Sequence, residues 1–154
     1  MFFDHPTRFF VCSGTGEGRT TLNAFDAALL DSKVGNTNLM KMSSILPPHV
    51  TQAEAGPLPP GAFIPIAYAS ISSTTPKEVI SAAVAVGIPV DPSLNGVIME
   101  YSARGQAQDV EAIVRSMAAE AMALRGFAVR EIVSTSIQHR VEHIGAAFAG
   151  VVLV

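Results

Sequence analysis

A layered α/β fold of the α+β kind is what this sequence predicts: an αββα sandwich, with a strand-rich core and helices outside. Three observations lead there. The chain has 154 residues, enough for a single domain, 1–154, that buries ~70% of its unfolded surface. Its apolar runs and turn residues follow the order strand, helix, several strands, helix, strands. Two helices cannot cover both faces of a large parallel sheet, so strand layers must pack on each other.

The elements follow in order. Phe9-Phe10-Val11-Cys12 reads as a strand ending at a glycine turn, Gly14-Thr15-Gly16-Glu17-Gly18. A helix comes next, with Leu22, Phe25, Leu29 and Leu30 on one stripe, Thr20 or Thr21 as its cap, and Gly35 just past its end. A short strand from Asn38 to Met42 leads to Ser43-Ser44. Five prolines between Pro47 and Pro60 argue for a surface loop and against any ladder. Ala62 to Ser73 reads as a strand in which Pro65 implies an edge or a bulge. Glu78 to Ile88 has alanine enough for a helix, but Val79, Ile80, Val84, Val86 and Ile88 favour a buried strand. Gly96 to Tyr101 is another strand, and Gln108 to Arg125 is the clearest helix, presenting Val110, Ile113, Val114, Met117, Ala121 and Leu124 before the stop at Gly126. Ile132 to Val154 alternates as one or two strands with a bend near Gly145.

Composition narrows the function classes. Charged residues are 15% of the chain and hydrophobic ones 49%, with a mean hydropathy of +0.37, against ~25% charge in an ordinary globular domain. Subunit contacts would hide the surplus apolar surface, so a homo-oligomer is expected. A net charge of −3 supplies no basic stripe, and nucleic acid is not an expected partner. Cys12 is the only cysteine, which excludes an internal disulfide and suits a reducing cytoplasm; it reads as a small buried apolar residue. Asp4, His5 and Pro6 stand where a signal peptide needs a basic segment running into an apolar one. The apolar run Ile144 to Val154 is too short to span a bilayer, so no membrane association is expected and the run reads as a buried strand.

Alone, a Ser-Ser pair before Ile-Leu-Pro-Pro is an ordinary loop dipeptide. Its setting changes that reading. Leu22-Asn23-Ala24-Phe25-Asp26, Ala28-Leu29-Leu30-Asp31, Gly35-Asn36-Thr37-Asn38-Leu39, Ser43-Ser44-Ile45-Leu46-Pro47-Pro48, Ile80-Ser81-Ala82-Ala83 and Gly96-Val97-Ile98-Met99-Glu100-Tyr101 together resemble the pyruvoyl-dependent arginine decarboxylase family, from about Gly14 to the last strand. Leu46, where methionine is more usual, and Thr37, where valine is, are mild departures.

The chemistry at such a pair requires serine in second place. The Ser44 hydroxyl must attack the Ser43 carbonyl, turning an amide into an ester; proton loss from the Ser44 Cα then expels Ser43 as a carboxylate. The dehydroalanine left behind tautomerises and hydrolyses to a pyruvoyl group with release of ammonia. The resemblance thus implies cleavage into a 1–43 and a 44–154 chain and a covalent pyruvoyl cofactor derived from Ser44. It also implies a small amino-acid substrate, most simply L-arginine, converted to agmatine and carbon dioxide; ornithine or another amino acid, or an unprocessed scaffold subunit, are the alternatives. By the same resemblance Glu100 is the acid that protonates the carbanion, a role that needs a raised pKa of the kind burial beside Ile98 and Met99 could produce. Asn38 would bind the oxyanion of the cleavage step, and Asp26 the distal guanidinium. Leu29, Gly35, Ser43 and Ile45 would form the pocket wall. Low charge alone suits a dimer; the resemblance implies a trimer or a dimer of trimers with sites between subunits. Without the resemblance, Asn38 reads equally well as a turn residue, and Glu100 and Asp26 as solvent carboxylates.

Two patterns mislead. The glycines at 14, 16 and 18 fail the dinucleotide fingerprint because Arg19 stands where its third glycine belongs. His139-Arg140-Val141-Glu142-His143 has the spacing of an inverted zinc-protease motif. On a strand, however, its histidines lie ~13 Å apart, too far to share a zinc with bonds of ~2 Å. No metal is expected.

Overall fold

The computed structural model describes residues 5–154. Asp4, one of the residues that speak against a signal peptide, lies outside the described residues. The elements are β1 (Arg8–Glu17), α1 (Thr21–Asp31), β2 (Asn38–Lys41), β3 (Ile45–Leu46), β4 (Thr51–Gln52), β5 (Phe63–Ser73), β6 (Val79–Pro89), β7 (Gly96–Arg104), α2 (Ala107–Leu124), β8 (Val129–Arg140) and β9 (Gly145–Leu153). They form one sheet in the order β2-β5-β9-β1-β4 and a second in the order β3-β7-β6-β8. Helix α1 packs on β1, β9 and β5, and α2 on β6, β7 and β8. The layers are therefore helix, sheet, sheet, helix, as the sequence predicts.

The strands inside both sheets are apolar on both faces because each face meets another layer. On β6, Ala82, Val84 and Val86 enter the core between the sheets, while Ala83 and Ala85 face α2. On β9, Ala147, Ala149 and Val151 enter the same inter-sheet core, and Ala146, Phe148 and Val152 face α1. The ambiguous segment before Pro89 is thus a buried strand, and the C-terminal run is another, buried along its whole length. Cys12 is a packing residue whose burial pushes its thiol up to about 12, against a smaller opposing effect of a backbone hydrogen bond from Gly150.

Several expectations change. The glycines from 14 to 16 are not a turn; they lie within β1, paired with β9 from Phe9↔Leu153 to Glu17↔Gly145. A Cβ at Gly16 would stand 2.6 Å from the backbone nitrogen of Ala28, and one at Gly14 would run into the Ala28 carbonyl. Bare strand backbone is what lets α1 lie this close. For the same reason α1 buries Ala24 and Ala28, Phe25 and Leu29 are half-buried, and Leu22 and Leu30 are exposed. Thr20 caps the helix by accepting from the Asn23 N–H at 3.1 Å, but Gly35 is not its stop. Lys33 supplies the left-handed residue (φ 67), and Gly35 is needed because a Cβ there would stand 2.7 Å from Leu30 N.

The proline-rich stretch does hold a short ladder, Arg8↔Thr51 and Phe9↔Gln52. Pro65 lies in an inner strand, yet β9 pairs with β5 only from Ile66 onward. Its missing N–H therefore costs no ladder bond on that side. On α2 the buried face runs through Val110, Val114, Ala118, Ala121 and Met122, turned away from Ile113 and Leu124, which are exposed. Gly87 explains the turn: a Cβ there would meet the Met122 side chain at 2.7 Å.

Candidate active site

Strand β2 pairs with β5 in the first sheet, Asn38↔Phe63 to Lys41↔Ile66, and Met42 N still donates to Ile66 O at 2.9 Å. Two residues later Ile98 N, in the second sheet, donates to Ser44 O at 2.7 Å, and β3 pairs with β7 through Ile45↔Val97 and Leu46↔Gly96. The peptide between Ser43 and Ser44 is therefore the crossing from one sheet to the other. Past it, β5 and β7 each keep a neighbour on one side only, β9 and β6. The open edges border a cavity of about 310 Å³ lined by Lys41, Tyr68, Ser70, Glu100, Tyr101 and Ser102. Ser102 Oγ donates to Ser70 O at 3.1 Å across this notch.

Met42 and Leu46 both pack in the inter-sheet core, and Ser44, at the bend between them, is half-buried. Ile98, the hydrogen-bond partner of Ser44, is in that core as well. Glu100 is two residues further along the same face of β7, across from Val84. Ser44 and Glu100 are thus linked through β7, which hydrogen-bonds Ser44 through Ile98 and carries Glu100.

The surroundings of Glu100 differ from the expected apolar enclosure. Ile98 is buried, but Met99 faces α2 on the other side of the sheet. The Glu100 side chain is 33% exposed, and its Oε1 lies 3.0 Å from Lys41 Nζ. Among the described residues its Oε2 is buried and has no hydrogen-bond partner. Lys41 Nζ also stands 4.5 Å from the centroid of the Tyr68 ring. Lys41, Tyr68, Ser70 and Ser102 were not foreseen from sequence; the one available signal was a lysine closing the strand that leads to Ser43-Ser44.

Asn38, Asp26, Leu29 and Gly35 are not gathered here. Asn38 begins β2 and donates its Nδ2–H to Gly61 O at 2.9 Å; the strand alone puts ~10 Å between its Cα and that of Lys41. Asp26 is exposed on α1, on the outer side of the first sheet, and Leu29 is half-buried in the layer between that helix and the sheet. Gly35 lies in the turn after α1, while Ser43 and Ile45 are exposed at the crossing.

The histidine motif belongs to another part of the sandwich. His139 lies in β8, and its Nε2 stands 2.7 Å from Glu17 Oε2 at the end of β1. Glu142 and His143 follow the strand, and their backbone N–H groups donate to Glu17 Oε1 at 3.2 and 2.7 Å. Burial pushes the Glu17 carboxyl up, but the His139 hydrogen bond, the two backbone N–H donors and the imidazole charge outweigh it and hold the carboxyl below its ordinary value.

The model of the family described as pyruvoyl-dependent arginine decarboxylase matches residues 8–154. A relative of that name from Methanocaldococcus jannaschii is 43% identical over 152 residues, 99% of this chain and 92% of the relative. One from Thermococcus kodakarensis is 39% identical over 99% of this chain and 98% of its own length. Among solved structures, a pyruvoyl-dependent histidine decarboxylase superposes with a TM-score of 0.50 at 17% identity, over 59% of this chain and 50% of that one; this likeness concerns the fold. With a serine pair at the crossing between two sheets and relatives aligned along nearly its whole length, the chain belongs to the pyruvoyl-dependent arginine decarboxylase family.

Proposed function

We propose that the chain cuts itself between Ser43 and Ser44 into a 1–43 and a 44–154 chain, and that with the pyruvoyl group so formed at Ser44 it decarboxylates L-arginine to agmatine and carbon dioxide. One observation supports the reading: the peptide between Ser43 and Ser44 is the sheet crossing, and the strand that hydrogen-bonds Ser44 also carries Glu100, whose Oε2 is unpartnered among the described residues. These residues fit the group. In maturation the Ser44 hydroxyl adds to the Ser43 carbonyl, the ester replaces the amide, and loss of the Ser44 Cα proton breaks the Cβ–O bond with Ser43 leaving as carboxylate. Water then enters and ammonia leaves. The keto carbonyl supplies an electrophile for the substrate amine and a sink for the electrons left when carbon dioxide departs.

Everything else falls to side chains of the protein. Glu100 delivers the proton to the carbon that has lost its carboxylate. Asn38 hydrogen-bonds the oxyanion of the cleavage step, and Asp26 pairs with the guanidinium in a two-point contact. Leu29, Gly35, Ser43 and Ile45 form the wall. Asp26 or Asn38 acts on the site of a neighbouring subunit in a trimer or dimer of trimers. The support for sharing is their separation from Glu100 in one subunit, together with exposed Leu22, Leu30, Met40 and Phe63 and an apolar cavity of about 440 Å³ beside β2 lined by Met40, Phe63, Pro65 and Leu153. A cytoplasmic supply of agmatine for polyamine synthesis is the role such an enzyme would fill. Among the described residues no helix is long and apolar enough to cross a membrane.

Intact mass tests the reading. Wild type should split into two species, the larger with a blocked terminus, while Ser44→Ala stays whole. A wild-type chain that remains full length after prolonged incubation would leave only a scaffold role, and carbon dioxide released from ornithine in preference to arginine would reassign the substrate. Co-expressed Asp26→Ala and Glu100→Gln subunits, each inactive alone, should recover part of the activity in mixed oligomers; mixed oligomers that stay dead refute the sharing of that pair.

A further inference from the structure

The two oxygens of Glu100 are held unequally. Oε1 has the Lys41 ammonium at 3.0 Å, whereas Oε2 is buried with no partner among the described residues. A buried carboxylate oxygen without a donor is seldom kept unless something uses it. Lys41 in turn is fixed at two points, the carboxylate and the face of Tyr68 at 4.5 Å, which removes the freedom that a surface lysine normally keeps. As a stability device the pair would be worth little, because the two side chains are 50% and 33% exposed. Its geometry serves orientation better: one oxygen anchored, the other buried and without a donor among the described residues.

We infer that Lys41 is a positioning residue for the decarboxylation, holding Glu100 through Oε1 so that Oε2 is the atom from which the proton is delivered. This rests on Glu100 being the acid, as proposed above. Lys41 itself touches neither substrate nor the reacting carbon. The proton passes from Oε2 to the carbon that has lost carbon dioxide, which takes the electron pair of the broken bond, and Glu100 is reprotonated from solvent between turnovers.

The test compares Lys41→Met with Lys41→Arg, each measured per cleaved subunit as counted by intact mass. Lys41→Met should lower kcat about 10- to 100-fold, the scale of losing orientation at a reacting centre, with KM changed by about twofold or less. In deuterium oxide the wild type should give monodeuterated amine of one configuration, and Lys41→Met a mixture of both. Lys41→Arg, which restores a cation able to lie on Tyr68, should recover the single configuration and bring kcat to within about fivefold of wild type. A second readout needs no cleavage: in crystals of Ser44→Ala, adding Lys41→Met should move the Glu100 carboxylate by ~1 Å or more, or split it between rotamers.

A normal kcat and a single product configuration in Lys41→Met overturn the inference, as does equal loss in the Met and Arg variants or an unmoved Glu100 in the crystal pair. If Lys41→Met fails to cleave, the crystal comparison decides alone. Glu100→Gln separates this idea from its foundation. If cleaved Glu100→Gln decarboxylates normally, Glu100 is not the acid; if it is dead while Lys41→Met is normal, only the role of Lys41 falls.

Discussion

Two carboxylates join the same pair of sheets on opposite flanks of the sandwich, and they are held in opposite ways. Glu17, from β1, is saturated: His139 Nε2 meets one oxygen, and the N–H groups of His143 and Glu142 donate to the other. Glu100, from β7, has a single ammonium on one oxygen and nothing on the other among the described residues. Saturation is what a structural carboxylate needs, since every missing donor weakens the fold. An oxygen left open is tolerated where a proton must come and go. Residue type does not separate the two, for both are strand glutamates of intermediate exposure with a basic partner; the number of donors does.

The widest contrast should come from removing each charge in turn. Glu100→Gln is expected to cleave normally yet lose about 10²–10⁴-fold in kcat, the range for a general acid, while Glu17→Gln keeps kcat. Assaying carbon dioxide release from fully cleaved protein checks both, and activity lost equally in the two variants would erase the distinction. Next in size is Gly145→Ala, where the added Cβ would press against Glu17 and lie 2.7 Å from His139 Cδ2. Overpacking of this kind costs about 1–3 kcal/mol, readable as a lower urea midpoint, and a midpoint equal to wild type would show that the clamp is loose. Glu17→Gln should destabilise by about 1–2 kcal/mol through weakened charge-assisted hydrogen bonds, measured in the same way.

The smallest effect is in pH. The Glu17 carboxyl lies below its ordinary value in the folded state, so its contribution is complete above the unfolded value of about 4.3 and is lost as pH falls through the folded one. Urea titrations between about pH 6 and 3 should therefore show wild type losing more stability on acidification than Glu17→Gln. Parallel curves for the two proteins would mean that Glu17 gains nothing from its three donors.

Periodicity made much of this legible, and depth made the rest illegible. The strands β6, β7 and β9 and the helix α2 were readable because each repeats one pattern over eight or more residues. The glycines of β1 misled because a glycine in a turn and a glycine under a helix look alike in a sequence; only the nearness of Ala24 and Ala28 tells them apart. Leu22 and Leu30 formed a convincing stripe, yet in one subunit they are exposed, since the space against the sheet belongs to alanines. At the site, Ser44 and Glu100 are singled out by the family resemblance. Lys41 is not, because what sets it apart is a side chain that leaves one sheet and ends on the other.

The position of the crossing has one more consequence, for molecularity. Strand β1 lies between β9 and β4, and β2 pairs with β5, so a cut between Ser43 and Ser44 leaves two polypeptides woven through one sheet, the shorter gripped along the ladder from Phe9 to Glu17. Before the cut, folding is a one-chain process, independent of how much protein is present. After it, complete unfolding is also dissociation, and recovery requires two strangers to meet, at a rate that falls with dilution. Maturation by such a cut would be a ratchet: the fold assembles the crossing, the crossing would be severed, and the severed molecule would survive by never letting go.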